Sequence, residues 1–192
     1  MVFQSFTFLS AMLSVSMVWT MPTTCRLQVK LVETTFNLLE EMTGHFPFQC
    51  LPYNILIGFP KAAFQSDSSQ QYNIGATKAV YDALKKIYLL FENDVFPDTW
   101  DAKTLDVFQN ILYRQIEESK CVMDWTQGSQ DDFPVRERVL SIFFEKITTY
   151  LQEKDFSFCA WETARKELLY ALRFILKHAS KHILWSSEQR GA

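Results

Sequence analysis

Two histidines four residues apart, His178 and His182, have the spacing with which one helix face holds a metal ion. The zinc-protease form of that motif also needs a Glu directly after the first His, and here the position is Ala179. His45 is the remaining histidine, far away in sequence. The competing reading makes His178, Lys177 and Lys181 cations in the last turns of a helix, where the helix dipole favours positive charge. Paired carboxylates occur at Glu40-Glu41, Glu117-Glu118 and Asp131-Asp132. Adjacent residues splay apart on a helix, so none of these pairs can share a proton as an acid/base couple. No Gly-x-Ser-x-Gly elbow and no Gly-rich phosphate loop is present among the five glycines. The chemistry that remains is cysteine chemistry, and neither an enzyme nor a cofactor is expected.

The cysteines are Cys25, Cys50, Cys121 and Cys159. They follow a segment, Met1 to Thr24, that carries no charged side chain and is rich in Phe, Leu, Val and Met. Arg26 is the first charge. Residues 1–24 therefore read as a signal peptide of approximate end, with cleavage after Ser16 or nearer Cys25, and residues 25–192 as one mature domain. A retained membrane anchor is the alternative, and the polar residues Gln4, Ser5, Thr7, Ser10, Ser14 and Ser16 argue against it. Behind a signal peptide an even cysteine count implies two disulfides, for which sequence alone allows three connectivities. Buried free thiols are the alternative. Net charge is -3 with both signs scattered, which excludes the concentrated positive groove of a nucleic-acid binder. No Asn-x-Ser/Thr sequon occurs.

What must hold these residues in place is helical throughout. Val32, Phe36 and Leu39 predict a first helix over roughly 26–43, which Gly44 ends. Pro47, Pro52, Pro60 and a Ser/Gln-rich run make residues 45–73 a long connection. Ala76, Val80, Leu84, Ile87, Phe91 and Val95 predict a second helix that Pro97 stops. Asp98 can cap a third, with Asp101 three positions on, whose inner face is Leu105, Phe108, Leu112 and Ile116. Pro134 opens a fourth, lined by Val139, Leu140, Phe143, Ile147, Tyr150 and Leu151. The last runs from about Phe158 to Trp185 with Leu168, Leu172, Ile175, Ala179 and Ile183 on one stripe. A first link long enough to run the length of a bundle leaves helices one and two parallel; a short second link turns helix three back. The fold class is thus all-α, an up-up-down-down bundle of five helices, the plan of the helical cytokines.

One run carries far more information than periodicity. Phe143, Phe144, Ile147, Tyr150, Leu151, Cys159, Ala160, Trp161, Glu162 and Arg165 stand in the order and spacing of a type I interferon signature. Phe108, Leu112, Gln115, Cys121 and Val122 also look like that family's third helix. The chain resembles a type I interferon of the four-cysteine kind, most like the fish branch. The resemblance implies pairing of Cys25 with Cys121 and of Cys50 with Cys159. Each closes a loop of roughly 100 residues, which the chain-entropy account values at about 4–5 kcal/mol.

It also implies a secreted antiviral cytokine that bridges two chains of a heterodimeric class II cytokine receptor and triggers Janus kinase/STAT signalling. An interleukin-10-like or lambda-type cytokine, or a secreted bundle carrying a lipid or metal, are the alternatives. Carried over in register, the higher-affinity receptor surface holds Leu51 after the second cysteine and Arg165, Lys166, Leu169, Tyr170 and Arg173 on the last helix. Asn54 stands where alpha-type members place an Arg. For Arg165 an internal pair with Glu162 competes with receptor contact. For Trp161, packing at the helix start competes in the same way. The second receptor chain falls to the opposite face, where polar residues off the apolar stripes are the candidates: Lys85, Lys86, Asn110 and Arg114. No nucleic-acid partner and no membrane insertion after signal removal are expected.

Overall fold

The computed structural model describes residues 25–65, 73–92, 95–125 and 132–185. Five α-helices carry the fold: α1 (Val29–Glu41), α2 (Ile74–Leu90), α3 (Ala102–Ser119), α4 (Phe133–Glu153) and α5 (Phe158–Phe174). Two short 3-10 turns, Phe48–Tyr53 and Lys61–Phe64, punctuate the first connection. Among the described residues there is no strand, only an isolated parallel bridge between Leu27 and Trp185. The predicted signal peptide lies outside the described residues.

Helix starts follow local chemistry. Asn73 caps α2 by accepting from the Ala76 N–H at 2.7 Å. Asp101, rather than Asp98, caps α3, accepting from the N–H of Thr104 at 2.7 Å. The chain first turns through 97–100, with the Trp100 N–H on the Pro97 carbonyl at 3.0 Å, because Trp100 must turn inward. For the same reason α2 ends at Leu90, short of the predicted Val95. Pro134 occupies the first turn of α4, where a missing N–H costs nothing. Between α4 and α5 Asp155 and Phe156 both take positive φ, near 50°, closing a turn of four residues. The last helix is regular only to Phe174; a π-turn (Ile175–Ala179) and a 3-10 turn (Ser180–His182) finish it.

Contacts fix the direction of each helix. The disulfide Cys25–Cys121 (Cα–Cα 5.9 Å) joins the start of α1 to the end of α3, so these run antiparallel. Thr43, just past α1, donates to Glu162 near the start of α5, so α5 also descends. Thr77 at the start of α2 accepts from the Leu184 N–H beyond α5, which makes α2 ascend. Helices α1, α2, α3 and α5 therefore form the up-up-down-down bundle, with α4 returning the chain alongside α2.

The interior is aromatic-rich. Phe91, Phe96, Trp100 and Phe108 converge with Trp161, which is fully buried and donates from Nε1 to the Val95 carbonyl at 2.8 Å. Trp161 is thus a core residue.

Candidate functional site

The first connection does not hang free; it is tied to α4 and α5 at successive points. At its entrance Arg165 donates from Nη2 to the Gly44 carbonyl at 3.0 Å and from Nη1 to that of Leu39 at 3.2 Å. The disulfide Cys50–Cys159 (Cα–Cα 5.0 Å) pins it next to the start of α5. The Tyr53 carbonyl accepts from Tyr150 Oη at 2.6 Å, and Lys166 Nζ reaches Asn54 Oδ1 at 2.6 Å and the Ile55 carbonyl at 2.9 Å. Further on, the Phe59 ring stacks on Phe64 and meets Phe143, Tyr170 and Phe174 edge-on, all with centroids within 6 Å. At the exit Arg136 holds the carbonyls of Ala63 and Gln65 at 2.8 and 2.7 Å.

A backbone held this way displays apolar side chains to water. Phe48 is 88% exposed and Leu56 87%, with Leu51, Tyr53 and Ile55 about half exposed. Leu56 joins Gly58, Phe59, Lys61, Lys166 and Tyr170 around a cleft against α5. Lys61 and Lys166 rim it, Lys61 lying 5.5 Å over the Tyr170 ring; Arg173, further along α5, packs over Phe36 of α1 at 5.3 Å and reaches Glu40 at 3.4 Å. Exposed aliphatic groups in a fixed loop are unfavourable in the free protein and favourable once covered. Sequence reasoning passed over Phe48, Ile55 and Leu56; the available signal was apolar residues in a Pro-containing connection that belong to no helical stripe.

Among the residues expected to meet the receptor, Lys166 and Tyr170 line this cleft, Leu51 and Arg173 are exposed outside its lining, and Leu169 is half-buried against the core. Arg165 is not at the surface. Its side chain is 2% exposed and forms an internal ion pair with the fully buried Glu162 at 2.7 Å. The Glu162 carboxylate also accepts from Trp100 Nε1 at 2.9 Å and from the Thr43 hydroxyl. Every polar atom of the Arg165 fork faces the protein, so the residue cannot touch a partner.

On the far side the candidates do not gather into one cluster. Lys85 and Asn110 are exposed, and the Lys85 charge acts on the carboxyl of Asp82. Arg114 pairs with Glu118 at 2.7 Å, and Glu118 also accepts from Gln28. Lys86 turns toward the groove between α2 and α4 and lies 3.5 Å from Asp82. Burial pushes the Asp82 carboxyl above its ordinary value, Lys86 opposing and Glu137 adding to the rise. His178 is exposed, its ring 5.1 Å from that of Phe174. Among the described residues no group of three or more His, Cys, Asp or Glu is placed to hold a metal.

A family model described as interferon alpha/beta domain matches residues 25–182. Interferon alpha-1 of Equus caballus is 33% identical over 135 residues, covering 69% of this chain and 72% of the horse protein. Among solved structures, zebrafish interferon 2 superposes with a TM-score of 0.76 at 47% identity, over 80% of this chain and 99% of that one. Zebrafish interferon 1, at 21% identity and a TM-score of 0.63, shares the fold over 79% of this chain and 94% of its own.

Proposed function

This chain belongs to the interferon alpha/beta family, as a type I interferon with two disulfides, and on that premise we propose that it is a secreted antiviral cytokine bridging two class II receptor chains. Removal of residues 1–24 as a signal peptide releases it; among the described residues no helix is long and apolar enough to cross a membrane. It performs no covalent chemistry. Binding energy at two surfaces is converted into proximity of two receptor chains, and thereby of the Janus kinases they carry.

The observation that supports this reading best is the tied connection beside α5. Leu51, Ile55 and Leu56 are exposed apolar side chains along it, and Lys166 and Tyr170 share a cleft with Leu56. An apolar centre with a polar rim, already held in its displayed geometry, gives tight binding because little ordering is left to do. This surface takes the higher-affinity chain. Lys85, Lys86 and Arg114 contribute weakly to the opposite surface for the second chain. The family match sets aside the interleukin-10-like and lambda-type alternatives.

Recombinant protein added to same-species cells should lower viral yield and raise STAT phosphorylation together. Leu56→Ala and Tyr170→Ala should each weaken binding of the tighter receptor chain by roughly tenfold or more, the scale of an interface anchor. Charge reversal of Lys85, Lys86 and Arg114 to Glu should cut antiviral potency with that first binding step intact. Full potency in the folded triple variant would remove the α2–α3 face from the reading.

A further inference from the structure

Arg136 is a buried cation that the proposed activity does not use directly. Only 8% of it is exposed, and it sits in the first turn of α4. Its Nη1 bonds the carbonyls of Ala63 and Gln65 at 2.8 and 2.7 Å, with that of Ala62 at 3.4 Å. Its Nη2 bonds Asp132 Oδ2 at 2.6 Å, one turn earlier on the same helix. Nε faces α2 at Gly75, where an added Cβ would lie 3.2 Å from it and 1.8 Å from Asp132 Oδ1. A single guanidinium thus joins α4 to the end of the first connection, with the start of α2 packed against it.

What it holds is mechanically coupled to the displayed surface. The 3-10 turn Lys61–Phe64 places Phe64 in the core and Phe59 against it, and Phe59 braces Tyr170. Leu56 and Lys61 line the same cleft as Phe59 and Tyr170. Among the described residues, Arg136 is the side chain that donates to the carbonyls at 62, 63 and 65 and so ties this turn to α4. We propose that Arg136 is a positioning residue for receptor recognition: it sets the path of residues 55–65, and so the geometry of the Leu56–Tyr170 cleft, without reaching the partner. The proposal rests on the reading of this cleft as the higher-affinity receptor surface. An unclamped connection would populate the binding-competent path only part of the time, and apparent affinity falls by that fraction.

The test compares Arg136→Gln, Arg136→Lys and, as a core variant remote from the connection, Leu112→Ala in α3. Hydrogen exchange is read at the amides of Lys61, Ala63 and Gln65, which bond within the turn. Affinity is measured on the immobilised ectodomain of the class II receptor chain that binds the unaltered protein most tightly. Arg136→Gln should raise exchange at those amides and weaken binding at least about tenfold, with Arg136→Lys in between because one ammonium cannot span three carbonyls. Leu112→Ala should lower the melting temperature yet keep both quantities within about twofold well below its Tm. Unchanged exchange and affinity in a folded Arg136→Gln or Arg136→Lys protein would overturn the proposal, as would losses that simply track Tm in all three. If Leu56→Ala and Tyr170→Ala left binding unaltered, the receptor reading would fail while the exchange measurement still decided whether the clamp exists.

Discussion

At Glu162 and Arg165 two opposite charges have left water almost completely, and their mutual pairing, with bonds to Thr43, Trp100 and three backbone carbonyls, makes that tolerable. Arg165→Ala would strand a buried carboxylate, so stability should fall by about 3–5 kcal/mol and Tm by roughly 10 °C. Calorimetry of that variant and of Glu162→Gln/Arg165→Met, which removes both charges, should show the double variant recovering part of the loss. An unchanged Tm in Arg165→Ala would mean the pair is not holding the structure. The inward turn of Arg165 was legible: it falls three residues before Leu168 and four after Trp161, squarely on the core stripe. Arg136 likewise falls four before Leu140. Residue type pulled the reading toward the surface, while position pointed inside. Asp82 shows the opposite case, a buried carboxylate whose Oδ2 has no hydrogen-bond partner among the described residues. Its carboxyl is raised by burial, so the stability it contributes is fully present below its unfolded value and is lost as pH rises through its folded one. Asp82→Asn should therefore melt higher than the unaltered protein at neutral pH, with the gap closing near about pH 3. An equal gap at both would point away from charge burial.

Among the elements, the helices were readable from spacing and their ends less so. Five apolar stripes predicted five helices, but α2 stops where Phe91 and Trp100 need to meet Trp161, a requirement no local pattern contains. The stripe Leu172, Ile175, Ala179, Ile183 suggests one continuous helix, whereas the turn from Ile175 to Ala179 is wound as π. The first connection was the least legible part. Its path depends on donors distant in sequence, Tyr150, Lys166 and Arg136, acting on its carbonyls. The α2–α4 contact supplies a sharp test. Gly75 is needed because Asp132 of α4 occupies the space a side chain would fill. Gly75→Ala should cost about 1–3 kcal/mol despite the better helix propensity of Ala, since the helices must separate or Asp132 must leave Arg136. A raised Tm would show that Asp132 swings away freely.

For the whole molecule, the two disulfides span similar lengths of chain, 96 and 109 residues, so loop-closure entropy gives each nearly the same stabilisation, about 4–5 kcal/mol. Their positions differ in consequence. Cys25–Cys121 joins α1 to α3 away from the displayed connection, and Cys50–Cys159 lies within it. Replacing each pair by serines should lower denaturant midpoints comparably, while only the Cys50/Cys159 variant should also weaken binding of the tighter receptor chain strongly. Equal binding losses would mean that overall stability alone governs recognition. Direction and order of the helices were legible from connection length, and the two cysteine pairs are those the interferon signature implies.

The bridge between Leu27 and Trp185 places the two ends of the described chain side by side, with the Leu184 N–H also fastened to Thr77. In terms of chain connectivity the domain is an almost closed ring. A short covalent link across that gap would restrict the unfolded chain far more than the folded one. It would do so at the end of the bundle where α1 and α2 begin, away from the Glu162–Arg165 pair. Backbone cyclisation between these ends is thus a route to a more heat-resistant signalling protein that leaves the displayed connection unaltered.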